Sequence, residues 1–242
     1  MLTYFFDSRD ARSCSHIMRT KSRQSLLCDQ PKILWALDAS PIRASTSEGL
    51  VYLSSKTMEL ESLEPIVGKT IHMPRDRGFV LDAANILRLN DKMIYLESQS
   101  GNRAAYNWLC DQFPDVEIEL CNFYGGVHID STVTPLREGL VLLNGSRVNS
   151  VNCPKAFDGW EKIYVYDVEP QGFYQYPYAS KWIALNMLVV DPDTVIVDRN
   201  QPKLIETLEK HCKLTVIPLE LRHSRTLGGG FHCVTLDLVR EH

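Results

Sequence analysis

The chain has 242 residues, 44% of them apolar and 23% charged, with a net charge of −4. That composition suffices for one large domain with a proper core, and it excludes a disordered chain or a coiled coil. The slight acidity provides no global positive field for nucleic acid or anionic lipid, and no apolar run reaches the roughly 20 residues of a membrane span.

Asp7 and Asp10 lie in an N-terminal stretch with no secretory apolar region, and they argue against a transit peptide. The chain is therefore expected to be soluble and cytoplasmic. The first elements are a helix near 9–21 and a strand at 33–37. A hairpin containing Glu48-Gly49-Leu50-Val51-Tyr52-Leu53 follows, then a helix near 56–64 and a strand at 69–72. Asn85–Asp91 reads as a short apolar strand entering a turn, answered by a strand at 92–96, a helix at 102–113 and a strand at 116–120. The next hairpin pairs 132–136 with 140–143, followed by an irregular stretch and a strand at 162–168. The last hairpin pairs Asn186–Asp191 with 194–197. It precedes a helix at 202–211, opened by Pro202, and a strand at 214–221. The final strand is expected at 234–239.

This order is a repeat. Glu48–Leu53 and Glu138–Leu143 agree at five of six positions, and the segments beginning at Asn85 and Asn186 share one pattern. Strand–strand–helix–strand recurs four times at about 45–55 residues, and the two chain ends supply most of a fifth unit. Such units form an α/β fold, a five-unit pseudosymmetric propeller of ββαβ repeats that hides its sheet edges and gathers loops at its centre. No Pro/Gly/Ser linker divides the sequence, so residues 1–242 are expected to form a single domain.

The seven cysteines are odd in number and widely spaced, which speaks against a disulfide framework or a zinc ribbon. Most should be small buried hydrophobes. Cys233 differs. It directly follows Leu227-Gly228-Gly229-Gly230-Phe231-His232, and three consecutive glycines are costly unless backbone must approach something closely. A cysteine there is either a nucleophile whose thiolate is favoured by nearby N–H groups, or a buried side chain after a turn. His128-Ile129-Asp130, read as a strand, places His128 and Asp130 on one face. Asp82 follows a short apolar run beside two alanines, with room for a ligand or a histidine. Cys, His and Asp together suit attack on an sp² carbon, and carboxylates suit a cationic guanidinium. His128, His232 and Cys233 lack the spacing of a metal site, and no phosphate-binding loop is present.

Four segments carry a resemblance: VLDAANILR (80–88), HIDSTVTPLREGLVLLNGSR (128–147), SKWIALNMLVVD (180–191) and LGGGFHCVTLDLVR (227–240). In this order, from about residue 79 to the C-terminus, the chain resembles the glycine amidinotransferase (L-arginine:glycine amidinotransferase) family. The resemblance implies a five-unit α/β propeller and a two-stage transfer. In the first stage Cys233 takes the amidino group of L-arginine and ornithine leaves. In the second an amine such as glycine accepts the group, giving guanidinoacetate in the glycine case. It further implies that His128 is the acid/base, Asp82 its partner, and Asp130 a carboxylate on the guanidinium. Arg147 would bind the substrate carboxylate, and Ser180 would be one of two substrate-binding serines, the other being Ala179 here.

No metal and no other cofactor is implied. The expected partners are small molecules, with neither nucleic acid nor membrane, and a homodimer is compatible with the resemblance. The family also has an early strand with a Pro-Arg-Asp motif. This chain is expected to begin just after it, leaving the N-terminal unit incomplete and one sheet edge bare. Met73-Pro74-Arg75-Asp76 lies in another unit and is not equated with that motif. The alternatives are a guanidine hydrolase of the same superfamily and a non-catalytic arginine-binding relative.

Overall fold

Short apolar runs separated by polar turns form hairpins, and each hairpin gains a third strand by a crossover. The computed structural model describes residues 78–89, 92–126, 128–172, 179–221 and 224–235, and the backbone of strand residues 2–5, 17–19, 33–34, 42–46, 49–54, 69–72 and 236–239. In chain order β1 (Leu2–Phe5), β2 (Ile17–Arg19) and β3 (Ile33–Leu34) come first. Then β4 (Ile42–Thr46), β5 (Gly49–Ser54) and β6 (Lys69–His72) form one unit, and β7 (Ile86–Leu89), β8 (Lys92–Leu96) and β9 (Glu117–Cys121) the next. They are followed by β10 (Val133–Arg137), β11 (Leu140–Asn144) and β12 (Glu161–Val165), and by β13 (Leu188–Asp191), β14 (Thr194–Asp198) and β15 (Thr215–Leu219). The final strand is β16 (Thr235–Val239).

In all four units the first two strands are antiparallel and the third runs parallel to the second. Parallel pairing requires a long crossover, and in the second and fourth units the helical segments Arg103–Gln112 and 202–211 supply it. The middle strands β8, β11 and β14 read as nearly continuous apolar runs because neighbours flank them and their faces are covered. All five residues of β11 are buried, and so are four of five in β8 and in β14. Pro135 sits in β10, an edge strand, where its missing N–H costs no ladder bond.

Two compact units are distinguished. One comprises residues 26–129 and 150–158. Within it, α1 (Arg103–Gln112) starts at Asn102, whose side chain accepts from Ala105 N at 2.9 Å. Such a cap is worth about 1 kcal/mol. Trp108, Leu109 and Phe113 pack on Ile86, Met93, Tyr95 and Ile118. The irregular stretch of the third repeat contributes a short 3-10 turn, Lys155–Phe157, whose first N–H groups are taken by both carboxylate oxygens of Glu119 at 2.7 and 2.9 Å.

The other unit comprises residues 1–25, 130–149 and 159–242. Its core joins Leu136, Leu140 and Leu142 to Trp182, Leu185, Val195, Val197, Leu204 and Leu208. The helix expected over 202–211 is α-helical only in α2 (Pro202–Glu206). A wider π turn continues it over Thr207–His211, with Cys212 N bonded to Thr207 O at 3.1 Å. Leu204, Leu208 and Cys212 stay buried through this change of pitch.

The N-terminal expectations need correction. Ile17–Arg19, inside the helix expected at 9–21, is a strand paired with β1, because a remote partner overrides weak local propensity. The strand expected at 33–37 covers Ile33–Leu34 and joins β4 rather than the fifth sheet. The helix expected near 56–64 and Met73–Asp76 lie outside the described residues. The fifth sheet is β16-β1-β2, so an N-terminal strand does join β16: Leu2–Phe5 pairs antiparallel with it, from Leu2 opposite Val239 to Phe5 opposite Thr235.

Candidate active site

The glycine run makes the close approach that its sequence demands. A short 3-10 turn, Ser224–Leu227, leads into Gly228 at φ +84°, a conformation costly for other residues. At Gly230 an added Cβ would lie 2.5–2.7 Å from the side-chain and main-chain atoms of Asn186. With no Cβ there, the loop folds over this buried asparagine. Asn186 O accepts from Phe231 N at 2.9 Å, and Asn186 Oδ1 accepts from Cys233 N at 3.0 Å. The Thr235 hydroxyl, at the start of β16, bonds back to the carbonyls of Phe231 and His232 at 3.2 and 3.0 Å. Cys233 is therefore held from both sides.

Asp130 faces this loop. Its Oδ2 lies 2.9 Å from His232 Nδ1 and accepts from Cys233 Sγ at 3.5 Å. Burial pushes the Cys233 thiol well above its ordinary range, and the negative charge of Asp130 adds to that. The Gly230 N–H and the Asn186 side-chain amide pull the other way. In this state the sulfur is a protonated thiol donating to a carboxylate. Cys121 offers a contrast: burial, with Glu119 and Cys153 nearby, pushes it up to about 12, and no donor opposes the shift. Cys121 and Cys212 are buried free thiols, as expected of structural cysteines.

A buried ion pair supports the loop. Arg225 Nη1 lies 2.9 Å from Asp198 Oδ2, both side chains are under 5% exposed, and the guanidinium sits 5.6 Å from the Phe231 ring centroid. Arg225→Met should destabilise the protein by about 3–5 kcal/mol, because Asp198 would be left as an uncompensated buried charge. The urea midpoint reads this, and a loss under about 1 kcal/mol contradicts it.

In the other unit, Asp82 and His128 form a second constellation. Asp82 N bonds to Ser100 O at 2.7 Å, and Asp82 Oδ1 accepts from Ala84 N at 3.2 Å, which fixes the carboxylate. The free oxygen, Oδ2, lies 2.7 Å from His128 Nε2. A carboxylate holding one imidazole nitrogen fixes the ring's tautomer and orientation. Both side chains remain partly exposed.

The strand expected at 128–130 is not formed. Residues 128–132 make a bend and turn ahead of β10, because Ile129 N bonds to Ala84 O at 2.9 Å rather than to a sheet partner. Arg147 lies on the turn after β11, its Nη1 2.7 Å from Thr132 Oγ1 and 3.2 Å from Ser131 Oγ. Ser180 caps the 3-10 turn Lys181–Leu185, its oxygen accepting from Trp182 N at 3.2 Å. His232 and Asn186 belong to the Cys233 site without having been singled out as functional. The signals in the sequence were the place of His232 beside Cys233 and the recurrence of asparagine at 85 and 186. Among the described residues no cluster of three or more His, Cys, Asp or Glu is placed to hold a metal ion, and no helix is long and apolar enough to cross a membrane.

No family model matches the chain. A solved inosamine-phosphate amidinotransferase from Streptomyces griseus superposes with a TM-score of 0.71 at 35% identity, covering 89% of this chain and 68% of that one. The chain belongs to the amidinotransferase family. The α/β propeller class expected from the repeats is thus this amidinotransferase-family chain's fold. The curated inosamine-phosphate amidinotransferase 1 of the same species is 43% identical over 202 residues, which is 79% of this chain, and the chain spans a little over half (58%) of that relative. The mitochondrial glycine amidinotransferase of Gallus gallus is 30% identical over 169 residues, covering 66% of this chain and 38% of that relative. The sequence resemblance named the glycine enzymes; the comparisons support the broader amidinotransferase family, in which the inosamine-phosphate enzyme is more similar to this chain than the glycine enzyme is.

Proposed function

We propose that this chain moves the amidino group of L-arginine through a covalent amidino-cysteine on Cys233 to an acceptor amine, with release of ornithine. The observation that carries this reading is the Cys233 loop, with its sulfur against Asp130 Oδ2 at 3.5 Å. A carboxylate in that place both keeps the resting thiol protonated and attracts a guanidinium. When the cation pairs with Asp130, the charge that opposes thiolate formation is cancelled. The thiol then ionises and releases its proton to solvent, Cys233 being only partly buried.

The thiolate attacks the guanidinium carbon, and the bond from that carbon to the ornithine nitrogen breaks. His128, oriented by Asp82, gives the departing nitrogen its proton and later removes one from the acceptor amine. Arg147 would hold the arginine carboxylate, and Ser180 would add a polar contact. No cofactor takes part in this scheme. The acid/base pair and the nucleophile lie in different compact units, so the reading requires residues 1–242 to act as one amidinotransferase-like domain.

For the acceptor we favour an amine like the inosamine phosphate named for the more similar relatives over glycine. Higher identity supports that order. The test is incubation with L-arginine and either an inosamine phosphate, glycine or no acceptor, with products read by mass spectrometry. Ornithine together with an amidinated inosamine phosphate is expected. Guanidinoacetate as the main product would restore glycine as acceptor. Citrulline would instead mean a hydrolase, and no product with no adduct on Cys233 would overturn the catalytic reading.

A further inference from the structure

Asn186 and Asn85 occupy equivalent places in the repeated hairpins, each just before an inner strand, and both are buried. Each lies against a glycine that could not carry a Cβ, Gly230 for Asn186 and Gly101 for Asn85. Their side chains differ in one respect. Asn85 uses both ends of its amide: Nδ2 donates to Ser98 Oγ at 3.0 Å, and Oδ1 accepts from Ser100 Oγ at 3.2 Å. Asn186 uses Oδ1 on Cys233 N at 3.0 Å, while its Nδ2, fully buried, has no hydrogen-bond partner among the described residues.

A buried donor without an acceptor is costly, and folded proteins keep few of them. The acceptor missing here is one that exists only in another protonation state of the site. We propose that Asn186 is a positioning residue for the nucleophile. Its Oδ1 fixes the main chain of Cys233, and its unpaired Nδ2–H becomes the hydrogen-bond donor to the sulfur once Cys233 is a thiolate. The inference rests on the reading of Cys233 as nucleophile.

Three further features agree with it. The Asn186 side-chain amide favours the ionised sulfur even in this resting arrangement, together with the Gly230 N–H. Asn186 O also takes Phe231 N, so one residue sets the whole turn from 231 to 233. Finally, the glycine at 230 keeps this amide close to the loop, since any side chain there would push the two apart. The glycine run and the asparagine therefore form one device: the first permits the approach, and the second supplies the donor.

The test is Asn186→Asp, which keeps the acceptor for Cys233 N–H and removes the donor. The readout is the pH dependence of iodoacetamide alkylation at Cys233, followed by peptide mass spectrometry. The alkylation midpoint should rise by about one pH unit or more, a tenfold loss of thiolate at a given pH. The pH profile of kcat/KM should move with it. An unchanged midpoint in a folded Asn186→Asp protein overturns the proposal.

If that variant does not fold, the wild-type protein decides. The Asn186 side-chain amide NMR signal should shift with the same midpoint as Cys233 alkylation, and should stay fixed in Cys233→Ala. A signal that ignores Cys233 ionisation overturns the proposal. Product formation by Cys233→Ala would be a different failure, that of the nucleophile reading, because the alkylation midpoint reports the sulfur's partners whether or not transfer occurs.

Discussion

Cys233→Ala should lose amidino transfer by at least about 10³-fold, since nothing else at the site can form the covalent intermediate. The matching result in the wild-type protein is positive. With L-arginine alone, the peptide carrying Cys233 should become about 42 Da heavier, the mass of an amidino group replacing the thiol hydrogen. The substitution removes a single sulfur and leaves the main-chain bonds from Asn186 and Thr235 in place. Folding should therefore survive, and loss of activity can be assigned to chemistry. Full transfer by Cys233→Ala, or an adduct on another cysteine, would sink the mechanism.

Asp82→Asn and His128→Ala should each reduce the rate by about 10²–10⁴-fold, the usual contribution of a positioned acid/base. The 2.7 Å contact between Asp82 Oδ2 and His128 Nε2 makes the two residues one unit. An asparagine in place of the carboxylate no longer holds the ring in its tautomer and orientation, and the departing amine loses a positioned proton donor. Two residues that act as one unit are not additive. The double variant should be no slower than His128→Ala within about threefold. Multiplied losses would show that Asp82 acts on its own.

Much of this molecule was legible from the sequence because the signals are local. The middle strands are dense apolar runs between turn residues, and Lys92–Leu96 and Lys69–His72 fall where the pattern places them. Gly228–Gly230 announced a close approach because three glycines have little other structural use. What failed was set by distant partners. Ile17–Arg19 has no strand alternation of its own and takes its form from pairing with Leu2–Tyr4. The turn at 128–132 follows from a single bond between Ile129 and Ala84, remote in sequence. Asn186 looked like a hairpin residue, and His232 like a neighbour of the reactive position. Only the folded loop shows which atoms they touch.

The pairing of β1 with β16 has a consequence for biosynthesis. The other hairpins join residues that leave the ribosome within moments of one another, so they can form while translation continues. Leu2–Phe5 must wait for Thr235–Val239, which emerges more than two hundred residues later. Cys233 immediately precedes that closing strand. The segment bearing Cys233 is thus among the last to be locked, and a nascent chain stalled short of β16 has β1 paired with β2 alone, with one edge still open.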